Sequence, residues 1–155
     1  MVRQVILILF VGVAVIASET NLSPAFLAEH ASLVIRGVVL SKTVKKDSAK
    51  GIVTEIELQV RETWKGNSPG KSLTIVQPGG ILGEQRVVTS SEANYKIDED
   101  VVLFLAARED GKYLTVSAGN GKFYVDSSSS DPVAVNIGGS RISISNLKSI
   151  VSKKE

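Results

Sequence analysis

Glu55, Glu57 and Glu62 lie within eight residues of one another and are the first side chains to weigh for chemistry. Two carboxylates can act as acid and base, or as acid and nucleophile, when they face a common gap. Glu55 and Glu57 fall on the polar positions of an alternating run and belong to a solvent face. Glu62 falls in the apolar phase beside Trp64, where burial would raise its pKa. No second carboxylate is placed opposite it, so a carboxylate-based hydrolase is the weakest functional alternative. His30 is the single histidine and there is no cysteine. A lone imidazole at a helix-to-strand junction packs or caps, and a zinc site of the usual kind needs more ligands. The serines have no positioned base, and no G-x-S-x-G occurs. Asp98-Glu99-Asp100 lacks the alternating spacing of a calcium loop and reads as a solvated acidic turn. Gly79-Gly80 and Gly138-Gly139 lack the following helix that a phosphate loop requires. No catalytic set, metal site or cofactor is expected.

The segment Gln77-Pro78-Gly79-Gly80-Ile81-Leu82-Gly83 carries a different kind of signal. Ile81 and Leu82 sit between glycines, where apolar side chains have no evident structural task. Exposed apolar loop residues are a common form of partner-binding site. Pro78, Gly79, Gly80, Ile81 and Leu82 are therefore the candidate binding residues. The competing reading is that Ile81 and Leu82 fold back and plug the end of a barrel.

The chain has 155 residues, 18 basic and 16 acidic, with a formal net charge of +2. That length suits one domain with a real core. The charges are interspersed, and no basic field of the kind that binds nucleic acid is present. Lys42, Lys45, Lys46 and Lys50 cluster around one turn and read as a solvated tip.

These residues need elements to carry them. Ser23-Pro24 opens a short helix, with Ser23 as cap and Pro24 at the first helical position. Residues 33–40 are rich in β-branched types and form a strand. Residues 52–64 alternate strictly and form a long antiparallel strand. Residues 72–77 make the next strand, which Pro78-Gly79-Gly80 ends. Residues 86–89 are a short pairing candidate. Residues 101–106 are apolar on both faces and form the central strand. A turn at 109–112 leads back through 113–116, and a second turn at 118–121 feeds 122–125. Residues 132–137 and 140–144 form a last hairpin, and Ser145 caps a final helix to about residue 152. About seven strands with a short helix at each end favour an all-β, mainly antiparallel barrel.

Residues 1–17, MVRQVILILFVGVAVIA, have the layout of a secretory signal peptide. Arg3 precedes an apolar run of about a dozen residues, short of the roughly 20 that a spanning helix needs. Cleavage is expected after Ala17, leaving 18–155 as one domain without a membrane span. The alternative is retention as an N-terminal membrane anchor. The expected address is secreted or periplasmic.

The order "HASLVIRGVV", a long strand ending "ETWKG", "SLTIVQPGG" and "EDVVLFLAAREDGKYLTV" resembles the netrin-like modules. Those include the inhibitory domain of tissue inhibitors of metalloproteinases. It is closer still to uncharacterised exported bacterial proteins with the same series, including "QPGG" and a step like Asn120-Gly121-Lys122-Phe123. The resemblance covers residues 25–125 and implies an OB-fold-like barrel. It does not extend to the inhibitor mechanism, because that family chelates the protease zinc through an N-terminal cysteine. The expected function is a non-enzymatic exported binding module whose partner is a protein or cell-envelope component. Inhibition of an extracellular protease is the next alternative.

Overall fold

The computed structural model describes residues 22–67, 69–89 and 91–153. The expected signal peptide, the cleavage point at Ser18, and Lys154 lie outside them. Ser23 caps α1 (Pro24–His30) by accepting from the Phe26 amide at 3.2 Å, with Pro24 where a missing N–H costs nothing. Ten strands follow among the described residues: β1 (Leu33–Asp47), β2 (Gly51–Lys65), β3 (Ser72–Pro78), β4 (Gly80–Leu82), β5 (Gln85–Val87), β6 (Asp100–Ala107), β7 (Tyr113–Thr115), β8 (Lys122–Asp126), β9 (Val133–Asn136) and β10 (Arg141–Ser143). α2 (Ile144–Ser152) closes the described chain.

The architecture is mostly β, with a large mixed sheet and two short helices. β1 pairs with β2, β2 with β3, β3 with β7, β7 with β6, and β6 again with β1. All of these are antiparallel except β3 with β7. β8 joins the sheet at the Val101–Leu103 end of β6, beyond the stretch that pairs with β7, and β9 and β10 extend it from there. β4 and β5 form a separate hairpin.

β6 is apolar on both faces because each face has its own core. Val101, Leu103 and Leu105 join Leu33, Ile35, Ile56, Leu58, Ile75 and Tyr95 in one cluster. Val102 and Phe104 join Leu27, Val34, Trp64, Phe123, Leu147 and Val151 in the other, beneath both helices; this is the outer cluster, on the outer face of the sheet, and the first is the inner one. A strand with both faces buried reads as an unbroken apolar run, as 101–105 does.

Several expectations need correction. β1 runs well past residue 40, so Lys42, Lys45 and Lys46 lie on a strand and only Lys50 lies in the turn. Their charges are tolerated because this end of the hairpin projects beyond the core. The alternation of β2 also breaks. Arg36 pairs with Glu62 and Gly37 with Val60, leaving Arg61 as an extra residue. Such a bulge reverses the facing of the residues beyond it. Glu62 and, two residues on, Trp64 therefore share the outer face with Arg36, and Trp64 joins the outer cluster. The final helix starts at Ile144 and is capped by Ser143, whose hydroxyl accepts from the Asn146 amide at 3.2 Å, rather than by Ser145. The turn expected at residues 118–121 is present, in 3-10 geometry. The short pairing expected at 86–89 is β5 and the return through 113–116 is β7, while β4 is not among the expected strands, because its three residues are too few for a periodic signal.

Candidate functional site

The glycine segment is a hairpin rather than an open loop. Gly80 pairs with Val87, Ile81 with Arg86 and Leu82 with Gln85. Gly79 and Gly80 have φ of 93° and 141°, which side-chain-bearing residues rarely adopt. A Cβ at Gly80 would stand 2.7 Å from Val44 Cγ1 and 2.8 Å from Thr54 Oγ1. The glycines thus let the hairpin lie directly on the far ends of β1 and β2. Thr54 donates its hydroxyl to the Gly79 carbonyl at 2.7 Å, fixing the base of the hairpin.

The candidate binding residues divide by exposure. Pro78 and Ile81 are exposed, Leu82 and Gly80 half-buried and Gly79 buried. Ile81 is 62% exposed, and Val87 and Val88 beside it are 45% and 70% exposed. A cleft of about 410 Å³ opens along the hairpin, lined by Pro78, Gly79, Gly80 and Ile81 and by Val87 and Val88. Its ionisable lining consists of Lys42, Arg86 and Glu92.

The far wall is Glu92, Ala93 and Asn94 of an irregular strap, residues 91–99, tied at its ends by backbone bonds to Gly119 and Val39 and in its middle by side chains. Gln77 Nε2 donates to the Ala93 carbonyl at 3.2 Å and Lys42 Nζ to the Tyr95 carbonyl at 2.8 Å. Lys122 Nζ donates to the Asn94 carbonyl, lying between those two, and to Glu99 Oε2 at 2.6 Å. The Tyr95 ring is buried, with its hydroxyl 3.0 Å from Thr115 Oγ1. Burial pushes the Tyr95 phenol well above its ordinary range. It also lowers the Lys122 ammonium and raises the Glu92 carboxyl. A second cleft, of about 440 Å³, lies across this strap and shares Glu92, Ala93 and Asn94 with the first. Tyr124 and Ile137, 41% and 60% exposed, stand at its rim.

The residues first weighed for acid–base chemistry are not brought together. Glu55 pairs with Lys112 and Lys45 on the outer face, and hydrogen bonds from these amines depress its carboxyl. It is an ion-paired group rather than a freely solvated one, while Glu57 is exposed. Glu62 accepts from Lys148 Nζ at 2.8 Å and Trp64 Nε1 at 3.0 Å. Those bonds hold its pKa below the ordinary value, against the raised value that a core position implies. His30 is exposed and stacks on Phe26, with ring centroids 4.1 Å apart. Asp98 sits at φ 66° in the turn, while Glu99 and Asp100 are held by Lys122 and Arg36. Among the described residues no group of three His, Cys, Asp or Glu is placed to hold a metal ion.

The sequence reading missed Val87, Val88, Glu92 and the strap. One signal was available in Tyr95, a large aromatic in an otherwise polar stretch, which needs a buried place. Among the described residues no helix is long and apolar enough to cross a membrane. No family model matches the chain, and the search of curated proteins returned no significant similarity.

Proposed function

We propose that this chain is a non-enzymatic, exported binding module whose hairpin β4–β5 and adjoining cleft take a protein or cell-envelope component. The observation that carries the reading is the exposure of Ile81, Val87 and Val88 beside a 410 Å³ cleft, on a hairpin seated by Gly79 and Gly80. Apolar side chains grouped at a cleft favour a partner that covers them.

The proposed scaffold is a small OB-fold-like barrel. The cycle of pairings from β1 through β2, β3, β7 and β6 back to β1 supports it, as does the single parallel contact of Ile75 with Tyr113. Kinship with the netrin-like modules belongs to the same proposal and rests on motif order in residues 25–125. Export rests on the signal-peptide layout of residues 1–17.

The test replaces residues 80–87 by a plain turn and compares capture of envelope components by the two forms. Loss of capture with an unchanged unfolding midpoint supports the reading, and unchanged capture removes the hairpin from it. Sequencing the N-terminus of the exported form should give Ser18. A chain beginning at Met1 in envelope fractions would replace export by anchoring.

A further inference from the structure

The cleft wall offers hydrogen-bonding groups that the fold does not use. Gln77 spends its Nε2 on the Ala93 carbonyl, while its Oε1 is buried without a hydrogen-bond partner among the described residues. A buried acceptor left unpaired is costly, so a ligand donor placed there gains correspondingly. The backbone N–H groups of Ala93, Asn94 and Tyr95 also have no partner among the described residues. The carbonyls of the strap alternate. Those of Ala93 and Tyr95 go to Gln77 and Lys42, which line the first cleft, and that of Asn94 goes to Lys122, which lines the second. In an extended run the N–H and C=O of one residue point the same way. Ala93 lines the first cleft and Tyr95 does not, so the Ala93 N–H is the donor of the strap on that side.

Charge adds a direction. Lys42 and Arg86 line this cleft without a carboxylate partner among the described residues, since the Lys42 ammonium bonds a neutral carbonyl. Among the described residues Glu92 is the one opposing carboxyl in the lining.

We propose that the first cleft seats an extended acidic peptide: its backbone would bond the Gln77 acceptor and the Ala93 donor, its apolar side chains would cover Ile81, Val87 and Val88, and its carboxylates would face Lys42 and Arg86. A peptide backbone supplies both a donor and an acceptor per residue, which matches a wall that needs both. This inference rests on the binding-module reading and names the partner chemistry of that site.

The experiment mixes the full chain with two fluorescent, N-acetylated and C-amidated heptapeptides, one alternating Val with Glu and one alternating Val with Lys. Fluorescence anisotropy should show the Glu peptide binding at least about tenfold more tightly. Amide NMR shifts should move at Ala93. Gln77→Met and, separately, Val88→Ser should each weaken binding about three- to tenfold. The exposed Val88 variant keeps the test valid should Gln77→Met fail to fold. No binding of the Glu peptide, equal binding of the Lys peptide, or shifts confined to another surface would overturn the assignment. If hairpin replacement abolishes envelope capture while the Glu peptide fails to bind, this inference falls and the module reading stands.

Discussion

Trp64 donates its indole N–H to Glu62 at 3.0 Å, although the two lie only two positions apart on β2. Side chains two apart on a regular strand do share a face, but here Glu62 sits on the rim while Trp64 is buried in the outer core. The bulge that leaves Arg61 without a partner on β1 turns both to the outer face, and Lys148 of α2 bonds Glu62. The only tryptophan of the chain thus reports on a carboxylate and on the docking of α2.

Acid should break this arrangement. Hydrogen bonds from Lys148 and then Trp64 hold Glu62 below its ordinary value of 4.5, and Lys112 and Lys45 do the same for Glu55. A carboxyl whose folded pKa is depressed contributes stability above its unfolded pKa and loses it as pH falls through the folded value. The stability from both groups should be whole above pH 4.5 and fade below it. Trp64 emission should follow the Glu62 step, and Glu62→Gln should remove that step from the fluorescence titration.

Leu103→Ala should cost about 2–5 kcal/mol, since Leu103 is fully buried inside the first cluster. Ile81→Ala, at a 62% exposed position, should stay within about 0.5 kcal/mol. Denaturant unfolding of both variants checks this. Equal losses would mean that Ile81 is a packing residue.

Gly80→Ala should loosen the hairpin. The added methyl meets Val44 and Thr54 below 3.0 Å at a backbone φ of 141°. The cost should be about 1–3 kcal/mol, with faster amide hydrogen exchange over 80–87. Gly111, where a Cβ meets nothing within 4 Å, tests the backbone effect alone.

Lys122→Met should release the strap. It removes two hydrogen bonds and leaves Glu99, whose side chain is 16% exposed, without its cation. The loss should be about 3 kcal/mol, with faster exchange around residues 93–96. Lys148→Met, at an exposed pair, should cost about 1 kcal/mol or less by the same denaturant assay.

The regular parts of the fold are legible in the chain because each obeys one local rule. Residues 52–60 alternate, residues 101–105 form an unbroken apolar run, and Ser23-Pro24 has the chemistry of a helix start. The hidden parts are decided by distant partners. The bulge at Arg61 has no residue signature, and it turns Glu62 from the core phase to the rim. The strap at 91–99 has no periodicity, because the carbonyls of Ala93, Asn94 and Tyr95 are met by the side chains of Gln77, Lys122 and Lys42 rather than by a neighbouring strand. Of the candidate site, Gly79 to Leu82 stood out by composition, while Val87 and Val88 become part of it only once the hairpin has formed.

A strand that is apolar on both faces carries little information about its own alignment. If β6 slid by one residue against β1, Val102 and Phe104 would exchange places with Leu103 and Leu105, and both cores would still receive hydrocarbon. Polar-against-apolar alternation, the usual guard against such slips, is missing from residues 101–105. Asp100 supplies the guard from the end of the strand. Its carboxylate meets Arg36 Nε at 3.2 Å and Nη2 at 2.8 Å on the outer face, and a one-residue shift would turn it toward the inner cluster. That ion pair acts as an alignment key, and its worth lies in the single arrangement it permits.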